Sequence, residues 1–255
     1  MPASKGTWEV LSSSTTKPAE KTVKPDISII IPVLNEPGTI QSTLESLAYQ
    51  CTEKTVEIVV VDADPVEGTL KAIDVKNLSG PLLKIATSDK GRGIQMNKGA
   101  ELASGPILLF LHADTLLPGG GIDAVFSVLQ NQDLVGGAFD LGIRSNRWGY
   151  HIIETVASTR SRITRLPYGD QAIFLRKKYF HMLGGYSPIP IMEDVDIMQR
   201  IKKRGDTIEI INKRVQTNPR RWEKEGMVFG TLRNWILMIL YLTGVSPHKL
   251  GRWYR

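Results

Sequence analysis

The apolar positions of the first 120 residues form short, nearly continuous runs, each followed by polar residues and then by a helical period. Short β-branched runs bounded by turn residues are typical of strands buried on both faces. Between the runs, apolar residues recur at helical spacing, as at Ile40, Leu44 and Leu47. Alternation of strands and helices predicts a parallel sheet with helices on both faces. The predicted strands are 27–33, 56–61, 82–86 and 107–111, and the helices that follow the second and third strands are 69–75 and 93–103.

Beyond residue 120 the pattern is less regular and predicts a mixed half of the same α/β domain. No internal repeat and no linker-like stretch divides the chain, so we expect one domain over 27–225. Residues 1–26 are rich in small polar residues and are predicted to be a flexible tail. Residues 226–255 form a basic and apolar helical segment. The elements predicted in the mixed half are strands over 135–143, 172–176 and 208–215, and helices over 148–159, 177–183 and 193–203.

Composition narrows the class of protein. The 255 residues are 42% hydrophobic and 23% charged, which is typical of soluble globular proteins and excludes fibrous and wholly disordered chains. The single cysteine, Cys51, excludes an intramolecular disulfide framework and favours a reducing compartment. No signal-peptide pattern follows Met1, so a cytoplasmic location is expected. The net charge of +6 is compatible with nucleic acid, an anionic membrane or phosphorylated substrates.

Polar residues follow each predicted strand of the parallel half, where ligands bind in such sheets. They are Asn35-Glu36, Asp62, the stretch 89–92 with Lys90 and Arg92, and His112-Ala113-Asp114. Carboxylates can hold a divalent cation that neutralises a diphosphate, while basic side chains contact its remaining oxygens. The alternative is that Asp62 and Asp114 only cap the turns that follow their strands.

These segments resemble the family 2 glycosyltransferases, and later segments fall in the same order. The likeness covers residues 27–222 and is strongest to the branch called radical-SAM/selenodomain-associated transferases. It implies a GT-A fold, in which a nucleotide-binding parallel half precedes a mixed acceptor-binding half, and an inverting, metal-dependent transfer of sugar. The segments that carry it begin at Ser28, Val59, Asn97, Leu109, Gly169, Gly184, Glu193 and Arg221.

Carried over residue by residue, the resemblance implies roles for this chain. Asp194, with Glu193 beside it, matches the catalytic base. Asp114 matches the last acid of the Asp-x-Asp signature, which binds Mg²⁺ or Mn²⁺, and His112 occupies the position of the first acid. Asp62 matches the acid that contacts the nucleobase. The other donor-site residues implied are Pro32, Asn35, Glu36, Lys90, Arg92, His112 and Ala113, and the acceptor-side residues are Asp170, Gln171, Arg221 and Trp222.

Three departures from the family pattern bear on these roles. Ala63 replaces the second acid after the second strand, and Leu34 replaces an aromatic residue that often stacks on uracil. Both put a uridine donor in doubt. His112 can face the ribose, ligate a softer ion or be a packed core residue. The acids of 193–196 can also be explained as complements to a helix dipole, and Asp170 as a turn residue.

The apolar run 235–242 has basic residues on both sides. Extended to Val245 it is too short to cross a bilayer, which takes about 20 residues. It suits a helix in an anionic membrane interface, and the alternative is a helix that packs on the domain or on a second subunit of a homo-oligomer.

The partners expected from the sequence are a nucleotide-sugar donor and a hydroxyl acceptor, with a lipid-linked acceptor as one option. Nucleic acid is not expected, because Lys and Arg are spread along the chain without interleaved aromatic residues. Two rival functions are a nucleotidyl- or phosphotransferase and a nucleotide- or membrane-binding module with a vestigial transferase site.

Overall fold

The computed structural model describes residues 24–50, 53–78 and 80–254. Most of the predicted tail, and Cys51, lie outside these ranges. The first half alternates strands with helices, as the sequence predicts. Its elements are β1 (Ile27–Val33), α1 (Ile40–Gln50), β2 (Val56–Asp62), α2 (Gly68–Lys71), β3 (Leu82–Thr87), α3 (Arg92–Leu102) and β4 (Ile107–Phe110).

The second half is mixed and ends in three consecutive helices. Short 3₁₀ turns occur at Val75–Asn77 and Gly169–Gln171. The elements are β5 (Thr115–Leu116), α4 (Gly121–Leu129), β6 (Leu134–Asp140), α5 (Trp148–Thr164), β7 (Phe174–Arg176), α6 (Lys177–Met182), α7 (Glu193–Lys203), β8 (Thr207–Arg214), β9 (Gln216–Thr217), α8 (Arg220–Glu225), α9 (Met227–Leu242) and α10 (Pro247–Tyr254).

One seven-stranded sheet, in the order β3-β2-β1-β4-β7-β6-β8, organises the molecule. Neighbours from β3 to β4 are parallel, whereas β7 is antiparallel to both β4 and β6. Strands β5 and β9 form a separate two-stranded sheet. The parallel first half and mixed second half predicted from the sequence are therefore confirmed.

The core lies on both faces of this sheet. Alternate residues of β1 point to opposite faces, because successive side chains of a strand do so. Ile29 packs in a cluster with Leu44 of α1 and Val125 of α4, and Ile30 packs in a second cluster with Met96 of α3. All of these side chains are buried, so helices cover the central strands from both sides.

Several predicted boundaries were wrong. The strand predicted over 135–143 ends at Asp140, because side chains of α5 replace a neighbouring strand beyond it. The amide of Leu141 donates to Ser158 Oγ at 3.1 Å, and that of Ile143 donates to Glu154 Oε1 at 2.7 Å. The predicted helix 69–75 is the shorter α2 followed by a 3₁₀ turn, and helix α5 continues to Thr164. Helix α4 was not predicted.

Candidate active site

The strand order brings three of the predicted site segments to one edge of the sheet. Strand β1 lies between β2 and β4, and all three are parallel, so their carboxyl ends meet there. Asn35 and Glu36 follow β1, Asp62 ends β2, and the segment from His112 to Asp114 follows β4. The edge therefore carries four ionisable side chains from three neighbouring strands.

Asp62 is fully buried at this edge. Its Oδ1 accepts a hydrogen bond from the Asp64 amide at 2.8 Å, while Oδ2 is closed off from solvent and has no hydrogen-bond partner among the described residues. Burial raises the pKa of the carboxyl group, and the backbone amides of Asp64 and Leu70 partly offset the rise. A buried carboxylate oxygen without a donor is suited to accept an N–H group from a ligand.

His112 and Asp194, the candidate base, both lie near Gly169. The Nε2 atom of His112 is closed off from solvent and has no partner in the described part of the chain. Burial, together with the positive charges of Arg92 and Arg221, lowers the pKa of the imidazole to about 3, so the ring is neutral. A Cβ atom added at Gly169 would lie 3.0 Å from His112 Nε2 and 3.5 Å from Asp194 Oδ2. Glycine at 169 leaves the space between these two groups open.

Asp194 and Glu193 open helix α7 and differ in their surroundings. Asp194 Oδ2 accepts a hydrogen bond from the Gly169 amide at 2.7 Å, and Oδ1 accepts one from the Val195 amide at 2.8 Å. Glu193 is buried and lies 3.2 Å from a guanidinium nitrogen of Arg92. Burial raises the pKa of Glu193 and the charge of Arg92 opposes that rise, whereas Glu193 raises the pKa of Arg92. Arg92 is therefore engaged with Glu193.

Asp196, the third acid of this helical turn, has a structural environment. Its carboxylate accepts hydrogen bonds from Ser187 Oγ at 2.6 Å, Arg200 Nε at 2.9 Å and Tyr241 Oη at 3.1 Å. These contacts join α7 to the preceding loop and to α9. The three acids thus have three different sets of partners, and a common helix-dipole role does not account for them.

Asp114 stands beside Glu36 and Arg220. Burial raises the pKa of Asp114, and the negative charge of Glu36 raises it further, while Arg220 opposes the rise. Arg220 forms an ion pair with Glu36 at 2.6 Å. The Thr115 hydroxyl contacts Asp114 Oδ1 at 3.4 Å, which is a weak hydrogen bond. The Asp114 carboxylate therefore keeps most of its capacity to accept a bond from a ligand.

Asp170 and Gln171 lie in the 3₁₀ turn beside Asp194, with different exposure to a ligand. Burial and the negative charge of Asp194 raise the pKa of Asp170 to about 6, against the opposing charges of Arg160, Arg221 and Arg92. The Gln171 side chain is buried. Its Oε1 accepts from Ser161 Oγ at 2.7 Å and its Nε2 donates to the Phe139 carbonyl at 2.9 Å. The amide of Gln171 therefore holds the turn in place.

Arg221 and Trp222 point in different directions from α8. Trp222 is buried and packs edge-on against Tyr150, with ring centroids 6.2 Å apart. Arg221 donates to Asn234 Oδ1 at 3.0 Å and stacks over the Tyr254 ring at 4.9 Å from its centroid. Because the charge of Arg221 acts on both His112 and Asp170, this guanidinium lies on the site side of the helix.

The remaining predicted donor residues line the outer part of the edge. Lys90 is exposed and forms no ion pair within the described ranges. Asn35 is exposed with a left-handed backbone, at a φ of 57°. The carbonyl of Ala113 is already used, since it accepts a hydrogen bond from Thr43 Oγ1 at 2.6 Å. Pro32 lies in β1 and is half-buried.

Two polar residues of α3 that the sequence analysis gave no role hold the site in shape. Gln95 Nε2 donates to the carbonyls of Val33 and Val61 at 2.7 and 2.9 Å, bridging the ends of β1 and β2. Asn97 makes paired hydrogen bonds with the backbone of Tyr186, both at 2.8 Å. A buried Gln on the apolar face of a predicted helix is the signal that marks Gln95.

The side chains of this site can hold a divalent cation only if a bound ligand supplies the remaining coordinating atoms. Among residues 24–50, 53–78 and 80–254, no three His, Cys, Asp or Glu side chains are grouped as a metal site. The available donors are the carboxylate of Asp114 and the free Nε2 of His112. Mg²⁺ is commonly held by one or two carboxylates together with substrate phosphates, so Asp114 is compatible with a cation that arrives with a diphosphate.

The family of the chain follows from comparison with known proteins. Glycosyl transferase family 2 matches residues 28–190, which is more than half of the chain. The chain therefore belongs to glycosyl transferase family 2, as the sequence motifs predicted.

Two relatives are glycosyltransferases by name. The PGL/p-HBAD biosynthesis glycosyltransferase of Mycobacterium bovis is 32% identical over 169 residues, which are 64% of this chain and 64% of that protein. Glycosyltransferase AglE of Haloferax volcanii is 33% identical over 118 residues, or 44% of this chain and 39% of AglE. The match thus spans just under two thirds of the mycobacterial relative.

Solved structures extend the likeness to the fold. The mannosyltransferase PcManGT from Pyrobaculum calidifontis, in complex with GDP-Man and Mn²⁺, matches with a TM-score of 0.59 at 20% identity, over 77% of this chain and 57% of that chain. Residues 1–349 of S. aureus TarS in complex with UDP-GlcNAc match with a TM-score of 0.57 at 16% identity, over 76% of this chain and 58% of that chain. The GT-A fold predicted from the sequence is confirmed.

Proposed function

We propose that this protein is an inverting, metal-dependent glycosyltransferase that moves a sugar from a nucleotide-sugar donor to a hydroxyl acceptor. The observation that carries the proposal is the placement of Asp194. Its carboxylate is fixed by the Gly169 amide and, like the free Nε2 of His112, borders the open space at Gly169. Family membership and the donors bound in PcManGT and TarS support the same reaction.

The donor lies along the carboxyl ends of β1, β2 and β4. Asp62 Oδ2 accepts an N–H group of the nucleobase, since this oxygen has no other donor in the described residues. Gln95 keeps β1 and β2 at a fixed spacing beneath the base. Glu36 and Lys90 lie at the outer rim, and Arg220 and Arg221 supply positive charge near the diphosphate.

The reaction needs one proton acceptor. Asp194 takes the proton of the acceptor hydroxyl as its oxygen bonds to C1 of the sugar. The bond from C1 to the diphosphate breaks on the opposite face, and its electron pair leaves with the nucleoside diphosphate, which inverts C1. Two backbone amides hold Asp194 in place, and the neutral His112 adds no competing positive charge. Asp114, with His112 as a second candidate, would hold a divalent cation that stabilises the leaving diphosphate.

A donor panel is the first test of this proposal. Binding to the native state raises its melting temperature by mass action. We expect one of the UDP-, GDP-, CDP- or ADP-sugars to raise it with Mn²⁺ or Mg²⁺, and to lose the effect in Asp114→Ala. The responding base also decides whether Ala63 and Leu34 exclude a uridine donor. A panel with no response would favour the vestigial, binding-module alternative.

Two acids in one helical turn give a matched test of the chemistry. We expect Asp194→Asn to lower kcat by about 10² to 10⁴ while donor binding stays near the wild-type value. The melting temperature should fall, because the Asn amide nitrogen cannot accept a hydrogen bond and one of the two backbone amides loses its acceptor. Asp196→Asn removes structural contacts, so we expect it to lower the melting temperature and to leave most of the activity of the folded protein. Turnover that survives Asp194→Asn would contradict the proposed base and favour a nucleotidyl- or phosphotransferase.

The finer assignments rest on the sequence motifs. The radical-SAM/selenodomain-associated branch stays a prediction, supported by the segments 112–115 and 168–171. A lipid-linked acceptor is supported by the exposed apolar side chains of α9.

A further inference from the structure

Exposed apolar side chains are concentrated on two helices. Of the seventeen large apolar side chains that are exposed in the described part of the chain, eleven lie on α5 and α9. Phe229 and Ile236 of α9 are 63% and 55% exposed, and Trp148 of α5 is 77% exposed. Clustering on this scale marks an interaction surface. The eleven are Trp148, Ile152, Val156, Ile163, Val228, Phe229, Leu232, Trp235, Ile236, Ile239 and Leu242, which we call the apolar platform.

The two helices of the platform run side by side in the same direction. A Cβ atom at Gly149 would meet Met227 Cε at 3.2 Å, near the start of both helices. Eleven residues further along each helix, Arg160 Nη1 contacts Met238 Sδ at 3.5 Å. The offset along the sequence is the same at both contacts, so α5 and α9 lie parallel.

Helical periodicity places the two exposed faces on one side of this pair. A helix turns about 100° per residue, so the exposed apolar residues of α9 cover an arc of about 140° and those of α5 an arc of about 80°. Gly149 and Arg160 of α5 face Met227 and Met238 of α9. With the two helices in contact through these residues, both exposed arcs point to the same side of the helix pair. The platform is therefore a continuous surface two helices wide and about 20 Å long.

Unpaired basic side chains occur on the segments directly before and after the platform helices. Arg147 directly precedes Trp148, Lys224 lies in the last turn of α8, and Lys249 and Arg252 lie on α10. All four are exposed, and none forms an ion pair within the described residues. One exposed acidic residue, Glu223, lies next to Lys224. The exposed charge of these flanking segments is thus predominantly positive.

We propose that the apolar platform docks on an anionic lipid bilayer. Apolar and tryptophan side chains enter the acyl boundary while basic residues contact anionic headgroups. A second copy of the chain fits less well, because a symmetric pair would bring two sets of predominantly positive flanking segments together. No helix of the described residues is long and apolar enough to span the membrane, so the contact is at the surface.

The inner side of α9 touches the candidate acceptor site. Tyr168, next to Gly169, donates from its hydroxyl to Met238 Sδ at 3.1 Å, and Tyr241 contacts Asp196. A docked platform would therefore hold the site close to lipid-linked hydroxyl acceptors. That consequence depends on the proposed function, whereas the docking itself does not.

Flotation of the full chain with vesicles tests the docking. We expect binding to phosphatidylcholine vesicles that contain phosphatidylglycerol and much weaker binding to phosphatidylcholine alone. Phe229→Ser/Ile236→Ser should weaken binding at least about ten-fold, and Lys224→Gln/Lys249→Gln about 25-fold. Tyr49→Ser/Met182→Ser, which alters exposed apolar residues elsewhere, is the matched control and should bind as the wild type does. These positions are exposed, so all variants should keep the wild-type melting temperature.

Three results would overturn the proposal. They are no binding of the wild type to anionic vesicles, equal binding to neutral vesicles, or equal loss in the control variant. A stable dimer in solution that Phe229→Ser/Ile236→Ser dissociates, without vesicle binding, would assign the platform to a second copy instead. Vesicle binding by a chain that transfers no sugar would support docking and contradict only the proposed function.

Discussion

The raised pKa of Asp170 determines the direction in which this group changes the stability of the fold with pH. Its pKa rises from 3.8 to about 6 in the folded protein, mainly through burial and then through the charge of Asp194. A carboxyl group with a raised folded-state pKa stabilises the fold fully below its unfolded pKa, and this contribution is lost as the pH rises through the folded pKa. Ionised Asp170 is therefore a cost to the fold above about pH 6.

Replacing Asp170 by Asn removes that cost. We expect the free energy of unfolding of Asp170→Asn, relative to wild type, to increase as the pH rises from 3.8 to about 6 and then to level off. Urea denaturation of both proteins across this range measures the difference, with Asp133→Asn as a control at an exposed carboxylate. If the free energy of unfolding of the wild type and of Asp170→Asn changed with pH in the same way, the assigned pKa would be contradicted.

Individual site residues differ in how well the sequence predicted them. Asp62, His112 and Asp114 lie at or shortly after the ends of strands, so the strand pattern alone placed them at one edge of the sheet. Gln171 and Trp222 came from family motifs, which do not report that both side chains are buried within the protein. Tyr254, which stacks on Arg221 and Arg233, depends on tertiary packing that no local pattern records.

At the scale of elements, helix α3 lies unusually close to β1. Gly99 faces the strand, and a Cβ atom there would overlap the Cγ2 atom of Ile30. This close approach positions Gln95, one turn earlier on the helix, over the carbonyls of Val33 and Val61. The glycine thus determines the distance between the helix and the sheet edge that carries the site.

We expect Gly99→Ala to destabilise the fold by about 1 to 2 kcal/mol, because the cost of overpacking exceeds the gain in helix propensity. Gly38→Ala is the control, since a Cβ atom at Gly38 would meet nothing within 4 Å. Urea denaturation of both variants measures the change. A more stable Gly99→Ala protein would show that the helix can move away from the strand without cost.

The sequence predicted the secondary-structure elements well where their buried residues follow a regular spacing. Strands β1 to β4 are continuous apolar runs, and their bounds agree with the sequence pattern to within one residue. The strand predicted over 135–143 was too long because Leu141 and Ile143 are buried against α5 instead of within the sheet. Helix α4, which was not predicted, begins at Gly121 after two further glycines, and glycine disfavours helix formation.

For the molecule as a whole, α9 and α10 are packed parts of the structure. Leu237 and Leu250 lie in a buried cluster with Met192 and Val195, in the first turn of α7 and directly before it. Tyr254 extends this packing to Arg221. A separate C-terminal segment from residue 226 stays a prediction about domain organisation, but its helices contact the body of the protein directly.

We expect Leu250→Ala to lower the free energy of unfolding by about 2 to 4 kcal/mol, because the side chain is fully buried and its removal leaves a cavity. Trp253→Ala, at a 62% exposed neighbour, should change it by less than about 0.5 kcal/mol. Chemical denaturation distinguishes the two. Equal, small effects would mean that α10 is loosely attached.

The ion pair between Glu36 and Arg220 has a consequence for the order of folding. It joins residues 184 positions apart, whereas the parallel strands of the first half pair over much shorter separations. Contacts between distant residues close large loops and tend to form late. We therefore expect a refolding chain to complete its parallel first half before its mixed second half. Under the proposed function, an intermediate would then bind nucleotide before it can transfer sugar.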